Sequence, residues 1–268
     1  MSQADWDRST IGGAGPRASR RKILGTAAAG MAAGFASGAA LAQAQTPAQP
    51  ARSRARRFEG KVVLVTGGTS GIGRAAAEAF AAEGGSVAFC GRREALGREV
   101  EAAIRAAGGE ATYLRADVLR EDDIKAFVDQ AVARYGRLDV AFNNAGITLQ
   151  KPLHDYTSHE WDNVVNTNLR GTFLAMKYEI PHMLKAGGGS IVVTASSNAI
   201  ATNGGRAAYT ASKLALVGLA QSAALEYAQQ GIRINTLIPG TADTAFARRA
   251  AGLFALALAS DGGKTAHA

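Results

Sequence analysis

Cysteine is almost absent: Cys90 is the only one in 268 residues. A single thiol closes no intramolecular disulfide and excludes a cysteine-built metal site. Histidine is scarce as well. His154, His159, His182 and His267 show no metal-ligand spacing, so they read as surface or packing residues and no metal is expected. Proline stands at 6 against 32 glycines, which points to regular elements joined by tight glycine turns. Aromatics are low at 6%, yet 47% of positions are apolar and 19% charged. Those fractions exclude disorder and collagen-like repetition. The length allows one large or two small domains with a real core, and no internal repeat is visible.

The body of the chain also lacks a charge excess. The formal net charge is +8, but residues 1–57 hold nine Lys and Arg against Asp5 and Asp7. The remaining 211 residues carry 21 basic and 20 acidic groups. A nucleic-acid binder would carry its basic face on the folded body, so no nucleic-acid partner is expected.

What is present begins with a leader. Ser19-Arg20-Arg21-Lys22 precedes an uncharged, Ala- and Gly-rich run from Ile23 to Ala42, which closes on Ala40-Leu41-Ala42. A charged start, an apolar stretch and a small-x-small end form a secretory signal. The paired arginines resemble the twin-arginine type, and the glycine-weakened apolar run suits that type better than a retained membrane anchor. Residues 1–42 are therefore expected to be a signal and 43–57 a basic, flexible linker. The chain is expected in a bacterial periplasm, touching the membrane only through the signal, or in the cytoplasm if the leader is not a signal.

From residue 58 on, apolar runs alternate with helix-length segments. Strands are expected at 61–66, 86–90, 111–115, 138–142, 190–195 and 232–238. Helices are expected at 72–83, 93–107, 121–134 and 206–230. Thr157-Ser158-His159-Glu160 is a capping-box pattern opening one more long helix, which Pro181 should kink or end. Strand runs without polar alternation suit parallel strands buried on both faces. The fold class is α/β, a doubly wound parallel sheet of six strands in a single domain over 58–268.

Four constellations carry chemistry. Thr66-Gly67-Gly68-Thr69-Ser70-Gly71-Ile72-Gly73 joins the first strand to the first helix. Gly67 permits the turn, Gly71 lets backbone approach a pyrophosphate, and Gly73 lets the helix pack on the strand. The helix N-terminus favours the phosphates. The turn itself carries no Gly-Lys-Ser/Thr, which argues against a P-loop NTPase. Second, the end of the second strand reads Cys90-Gly91-Arg92-Arg93, where an acid would bind the adenosine ribose. Two arginines in its place favour a 2′-phosphate, and so NADP over NAD. Third, Asn143-Asn144-Ala145-Gly146 follows the fourth strand at the ligand-binding edge of such sheets. Fourth, Tyr209 and Lys213 stand four apart on a helix and share a face. An ammonium there would lower the phenol pKa toward working pH.

Together, in this order and spacing, these motifs resemble the short-chain dehydrogenase/reductase family over residues 58–244. The resemblance implies an NAD(P)-dependent oxidoreductase acting between a carbonyl and a secondary alcohol. It casts Tyr209 as general acid/base, Lys213 as its pKa-lowering and ribose-binding partner, and Ser196 as the hydroxyl that bonds the substrate oxygen. Asn168 would hold a water in the proton relay. The cofactor would be held by Gly67, Thr69, Ser70, Gly71, Ile72, Gly73, Arg92 and Arg93, by Asp117 and Val118 near adenine, and by Asn143, Ala145 and Gly146. Tyr209, Lys213, Pro239, Gly240 and Thr244 would complete the nicotinamide end. The partner is a small-molecule carbonyl or alcohol, and the pattern leaves room for a homo-oligomer.

The C-terminal side departs from the family pattern. Residues 243–259 fit one helix, and Ser260-Asp261-Gly262-Gly263 follows with no strand-like run before it. A shortened substrate lid and no seventh strand are expected. That leaves a second function class, a cofactor-binding or interaction protein with impaired turnover.

Overall fold

Val62–Thr66 is five apolar or β-branched residues in a row, and all five are buried. Such a run has no solvent face to offer, so it forms a central parallel strand with helices on both sides. This strand, β1, is followed by α1 (Gly71–Ala82), β2 (Ser86–Gly91), α2 (Glu94–Ala106), β3 (Glu110–Arg115), α3 (Glu121–Tyr135) and β4 (Val140–Asn143). The chain continues through α4 (Ser158–Val165), α5 (Gly171–Lys185), β5 (Gly189–Thr194), α6 (Ala207–Tyr227) and β6 (Ile232–Leu237). The structure is a computed structural model that describes residues 56–240, 242–244 and 246. All of these lie in the second of two units, Pro50–Ala268. The signal at 1–42, nearly all of the 43–57 linker, most of the 243–259 helix and the Asp261-Gly262-Gly263 turn lie outside the described residues.

All five strand pairings are parallel, in the order β3-β2-β1-β4-β5-β6. The order reverses between β1 and β4, and the crevice outside their carboxyl ends is where ligands bind in such sheets. Alternate residues of β1 feed the two layers. Val63 and Val65 pack with Ala77 of α1 and Val100 of α2. Leu64 packs with Phe127 of α3, Met183 of α5 and Leu216 of α6.

The capping box forms as expected. The Thr157 hydroxyl accepts from the Glu160 N–H, and the Glu160 carboxylate accepts from the Thr157 N–H. The helix it opens is interrupted, but not at Pro181. A π-helical turn at Asn166–Arg170 separates α4 from α5, and α5 runs through Pro181 to Lys185. Pro181 and Lys177, the residue whose carbonyl loses its N–H partner, are both exposed, so water can serve the freed carbonyl. The expected 206–230 helix ends as a 3₁₀ turn, Ala228–Gln230, closed by Gly231 at φ 77°. Among the described residues no helix is long and apolar enough to cross a membrane.

Candidate active site

Two turns meet at the switch point. The Thr66 hydroxyl accepts from the backbone N–H of Asn144 (3.0 Å) and of Ala145 (3.2 Å). A Cβ on Gly67, which has φ +71°, would stand 2.9 Å from Ala145 Cα. A Cβ on Gly73 would stand 2.3 Å from the Gly67 carbonyl oxygen. The glycines thus let β1, the β4 turn and α1 approach to backbone contact. Ser70 caps α1 without a side-chain bond, so the first-turn amides stay open to an anion.

These turns form one wall of a cleft of about 910 Å³. Of the residues expected to bind cofactor, Gly67, Thr69, Ser70, Gly71, Ile72, Arg92, Arg93, Asp117, Val118, Ala145, Gly146, Tyr209, Lys213, Pro239, Gly240 and Thr244 all line it. Gly73 acts from behind, through the close packing just described. The two arginines part company. Arg93 folds back onto the glycine turn, donating to Thr69 Oγ1 (3.0 Å) and Ser70 Oγ (2.6 Å). Arg92 stays half-exposed, 3.9 Å from Asp117 Oδ2. Asp117 Oδ1 accepts from the Leu119 N–H at 3.1 Å.

Asn143 is absent from this lining. It ends β4 in register with Thr66, and its side chain turns into the core rather than the cleft. There Nδ2 donates to Glu179 Oε2 at 2.8 Å. Its neighbour Asn144 faces the cleft instead, with Nδ2 near the Thr66 and Gly67 carbonyls (3.4 and 3.5 Å). Successive strand residues point to opposite sides, so the two asparagines of the motif divide the work. Glu179 is fully buried, and burial pushes its carboxyl up to about 7. Cys90 is buried in the same layer, with its thiol pushed up to about 12, and is inert.

At the other end stand Ser196, Tyr209 and Lys213, all buried and all lining the cleft. Lys213 Nζ donates to the Thr194 carbonyl (2.6 Å) and lies 5.8 Å from the Tyr209 ring centroid. Burial lowers its pKa to about 8. Burial raises the Tyr209 pKa, and the groups that oppose the rise are the Ser196 hydroxyl and the charge of Arg206. Ser196 Oγ accepts from the Asn198 N–H (3.2 Å) and Nδ2 (3.4 Å), which leaves the hydroxyl proton to point elsewhere.

Asn168 sits in the π turn with none of its surface exposed. Its Oδ1 accepts from the Ile147 N–H (2.8 Å), and Nδ2 donates to the Ile147 carbonyl (3.0 Å) and to Ser212 Oγ (2.9 Å). Both amide hydrogens are engaged, so the carboxamide clamps the β4 loop to α6 and has no donor left for a water.

Sequence reasoning gave no role to Asn144, although its motif was visible, and missed Gln150, Asn198 and Arg206; all four line the cleft. Asn198 was findable two residues after Ser196, and Arg206 one helical turn before Tyr209. Gln150 carried no signal. Among the described residues no cluster of three His, Cys, Asp or Glu could hold a metal.

The fold implies a pyridine dinucleotide, and the residues present fit one. An uncapped helix start meets the glycine turn, cations stand at one end of the cleft, and a buried ammonium and phenol stand at the other. Thr167 Oγ1 and Thr194 Oγ1, both lining the cleft, are buried without partners, as expected of groups that await a polar ligand. A doubly wound sheet with such a cleft at its switch point is that of a nicotinamide-dependent oxidoreductase. Comparison narrows the class. The short chain dehydrogenase family model matches residues 61–251. A levodione reductase of Leifsonia aquatica is 40% identical over 191 residues, 70% of this chain and 72% of that one. A 2,5-dichloro-2,5-cyclohexadiene-1,4-diol dehydrogenase of Sphingobium indicum is 42% identical over 195 residues, 72% of this chain and 77% of that one. The crystal structure of a levodione reductase superposes with a TM-score of 0.73 at 38% identity, covering 75% of this chain and 80% of that one. The chain belongs to the short-chain dehydrogenase family.

Proposed function

We propose that this protein moves a hydride between NADP(H) and a small carbonyl compound or secondary alcohol, with Tyr209 as the general acid/base. The observation that carries the reading is the convergence of Ser196, Tyr209 and Lys213 on the cleft that the glycine turn opens. The bound cofactor supplies the hydride chemistry. Residues of the glycine turn hold its phosphates, and Lys213, with an ammonium beside the Thr194 carbonyl, holds ribose hydroxyls. The Ser196 hydroxyl, its lone pairs engaged by Asn198, donates to the substrate oxygen and stabilises charge developing there. The Tyr209 hydroxyl gives its proton to that oxygen in reduction and takes it back in oxidation. Arg92 and Arg93 favour the 2′-phosphate form of the cofactor. The Arg20-Arg21 leader suits export of the folded protein to a periplasm.

The test is NADPH oxidation against a panel of carbonyl compounds, beside a nucleotide-binding titration. Tyr209→Phe should lower turnover by about 10²–10⁴-fold with cofactor affinity close to unchanged. Lys213→Ala should harm both. A Tyr209→Phe variant that turns over at the unsubstituted rate overturns the assignment.

A further inference from the structure

The substrate end of the cleft holds polar atoms that no protein group satisfies. Thr148 Oγ1, Gln150 Oε1, Asn198 Oδ1 and Arg206 Nε are buried without partners, and all four residues line the cleft near Tyr209. Buried polar groups are almost always paired, so a run of four on one wall is the imprint of what the wall receives. Asn198 is itself more than nine-tenths buried.

Arg206 decides the chemistry. It stands one turn before Tyr209, at the start of α6, and its charge acts on the phenol. Among the described residues it makes no ion pair, although its Nε is withdrawn from water. An unpaired, partly desolvated guanidinium is costly and calls for an anion or a fork of acceptors. Among the described residues no carboxylate meets that need. Asp117 is the one acid among the described residues lining the cleft, and it lies at the far end beside Arg92. Of the other three unpartnered atoms, Gln150 Oε1 and Asn198 Oδ1 are acceptors and the Thr148 hydroxyl can donate or accept, a set suited to hydroxyl groups on the same molecule.

We infer that the substrate is a carbonyl compound, or the matching secondary alcohol, that carries a carboxylate held by Arg206. The inference rests on Tyr209 serving the reacting oxygen. With the guanidinium one turn from the phenol on the same cleft, short 2-oxo and 3-oxo acids are the simplest molecules that offer both groups. An apolar ring ketone would leave all four groups unsatisfied.

The experiment pairs short 2-oxo and 3-oxo acids with their methyl esters and reads the acid-to-ester ratio of kcat/KM, so that losses common to both cancel. A charge-assisted bond of this kind contributes about tenfold or more. The expected ratio is at least about tenfold for one acid of the panel, falling to near one in Arg206→Leu and partly restored in Arg206→Lys. NADPH affinity, measured alongside, reports whether the variants fold. Calorimetric titration of the same acids into the NADP-loaded protein gives a readout independent of turnover. A ratio near one for every acid, or a ratio that survives Arg206→Leu, overturns the inference while leaving the oxidoreductase reading intact. Carboxylate binding that depends on Arg206 without any turnover supports the inference and counts against that reading. No carboxylate binding by calorimetry overturns the inference.

Discussion

Glu179 shows how far a single residue can depart from its type. Its Oε2 accepts from Asn143 Nδ2, while Glu179 Oε1 and Asn143 Oδ1 are both buried without partners. One proton on Oε1 resolves both vacancies at once, if the acid and the amide pair as a ring. Desolvation favours that neutral form, holding the carboxyl at about 7 against an ordinary 4.5. A carboxyl whose folded pKa is raised stabilises the fold only while protonated. The contribution is full below the unfolded value and is lost as pH rises toward and through about 7. Glu179→Gln keeps the shape and removes the titration. It should leave stability near pH 4.5 little changed and raise it by roughly 1–3 kcal/mol at pH 8, measured as urea midpoints across that range. An equal effect at both pH values would show that the carboxyl is charged throughout. Arg92 sets a second expectation at this scale. Its half-exposed guanidinium, only loosely paired with Asp117 at 3.9 Å, can turn to a 2′-phosphate, whereas Arg93 already bonds Thr69 and Ser70. NADPH should bind more tightly than NADH, and Arg92→Asp should reverse the order, weakening NADPH by about tenfold or more. Equal affinities in the unsubstituted protein would remove the argument for NADP.

At the scale of elements, α1 is seated by the absence of a side chain. Gly73 faces the Gly67 carbonyl at a distance no Cβ tolerates, so Gly73→Ala must push α1 off β1. A loss of about 2–3 kcal/mol is expected, with weaker nucleotide binding, because the helix start moves with it. Gly218 is the matched control. It is exposed within α6 and a Cβ there meets nothing within 4 Å, so Gly218→Ala should gain up to about 1 kcal/mol. Thermal denaturation of the two variants, with and without NADPH, separates the cases, and a harmless Gly73→Ala would mean that α1 is not held where described. These elements were legible in the sequence because the period-free run of β1 and the glycine turn after it are local signals. The π turn at Asn166–Arg170 was not. Thr167-Asn168 reads as ordinary helix until Asn168 meets Ile147 and Ser212, contacts distant in sequence. Pro181 does not end the helix, because the carbonyl it deprives, that of Lys177, belongs to an exposed residue. Asn143 and Asn144 were both visible as a motif, but which one faces the cleft depends on strand register. Ser196, Tyr209 and Lys213 were legible because their spacing survives without tertiary knowledge. The unpartnered wall around Arg206 was not, because it is assembled from the β4 loop, the β5 loop and the start of α6.

For the whole molecule, the export proposal joins leader to fold through the cofactor. NADP(H) is made in the cytoplasm, and an enzyme sent out unfolded would meet none on arrival. A route that carries folded proteins lets the chain leave with its cofactor in place. Binding adds RT ln(1 + [L]/Kd) to stability, about 2.7 kcal/mol at a hundredfold excess over Kd, so the loaded form is also the one that best survives transit. Cys90, buried and inert, gains nothing from an oxidising compartment, which agrees with a protein that completes its folding before export. Replacing Arg20 and Arg21 with Lys should hold the full-length chain in the cytoplasm, still folded and able to bind NADPH. The unsubstituted chain should appear in the periplasmic fraction with its N-terminus near Gln43. N-terminal sequencing of both fractions checks this. A cytoplasmic chain that begins at Met1 or Ser2 would show that the arginine pair is no signal.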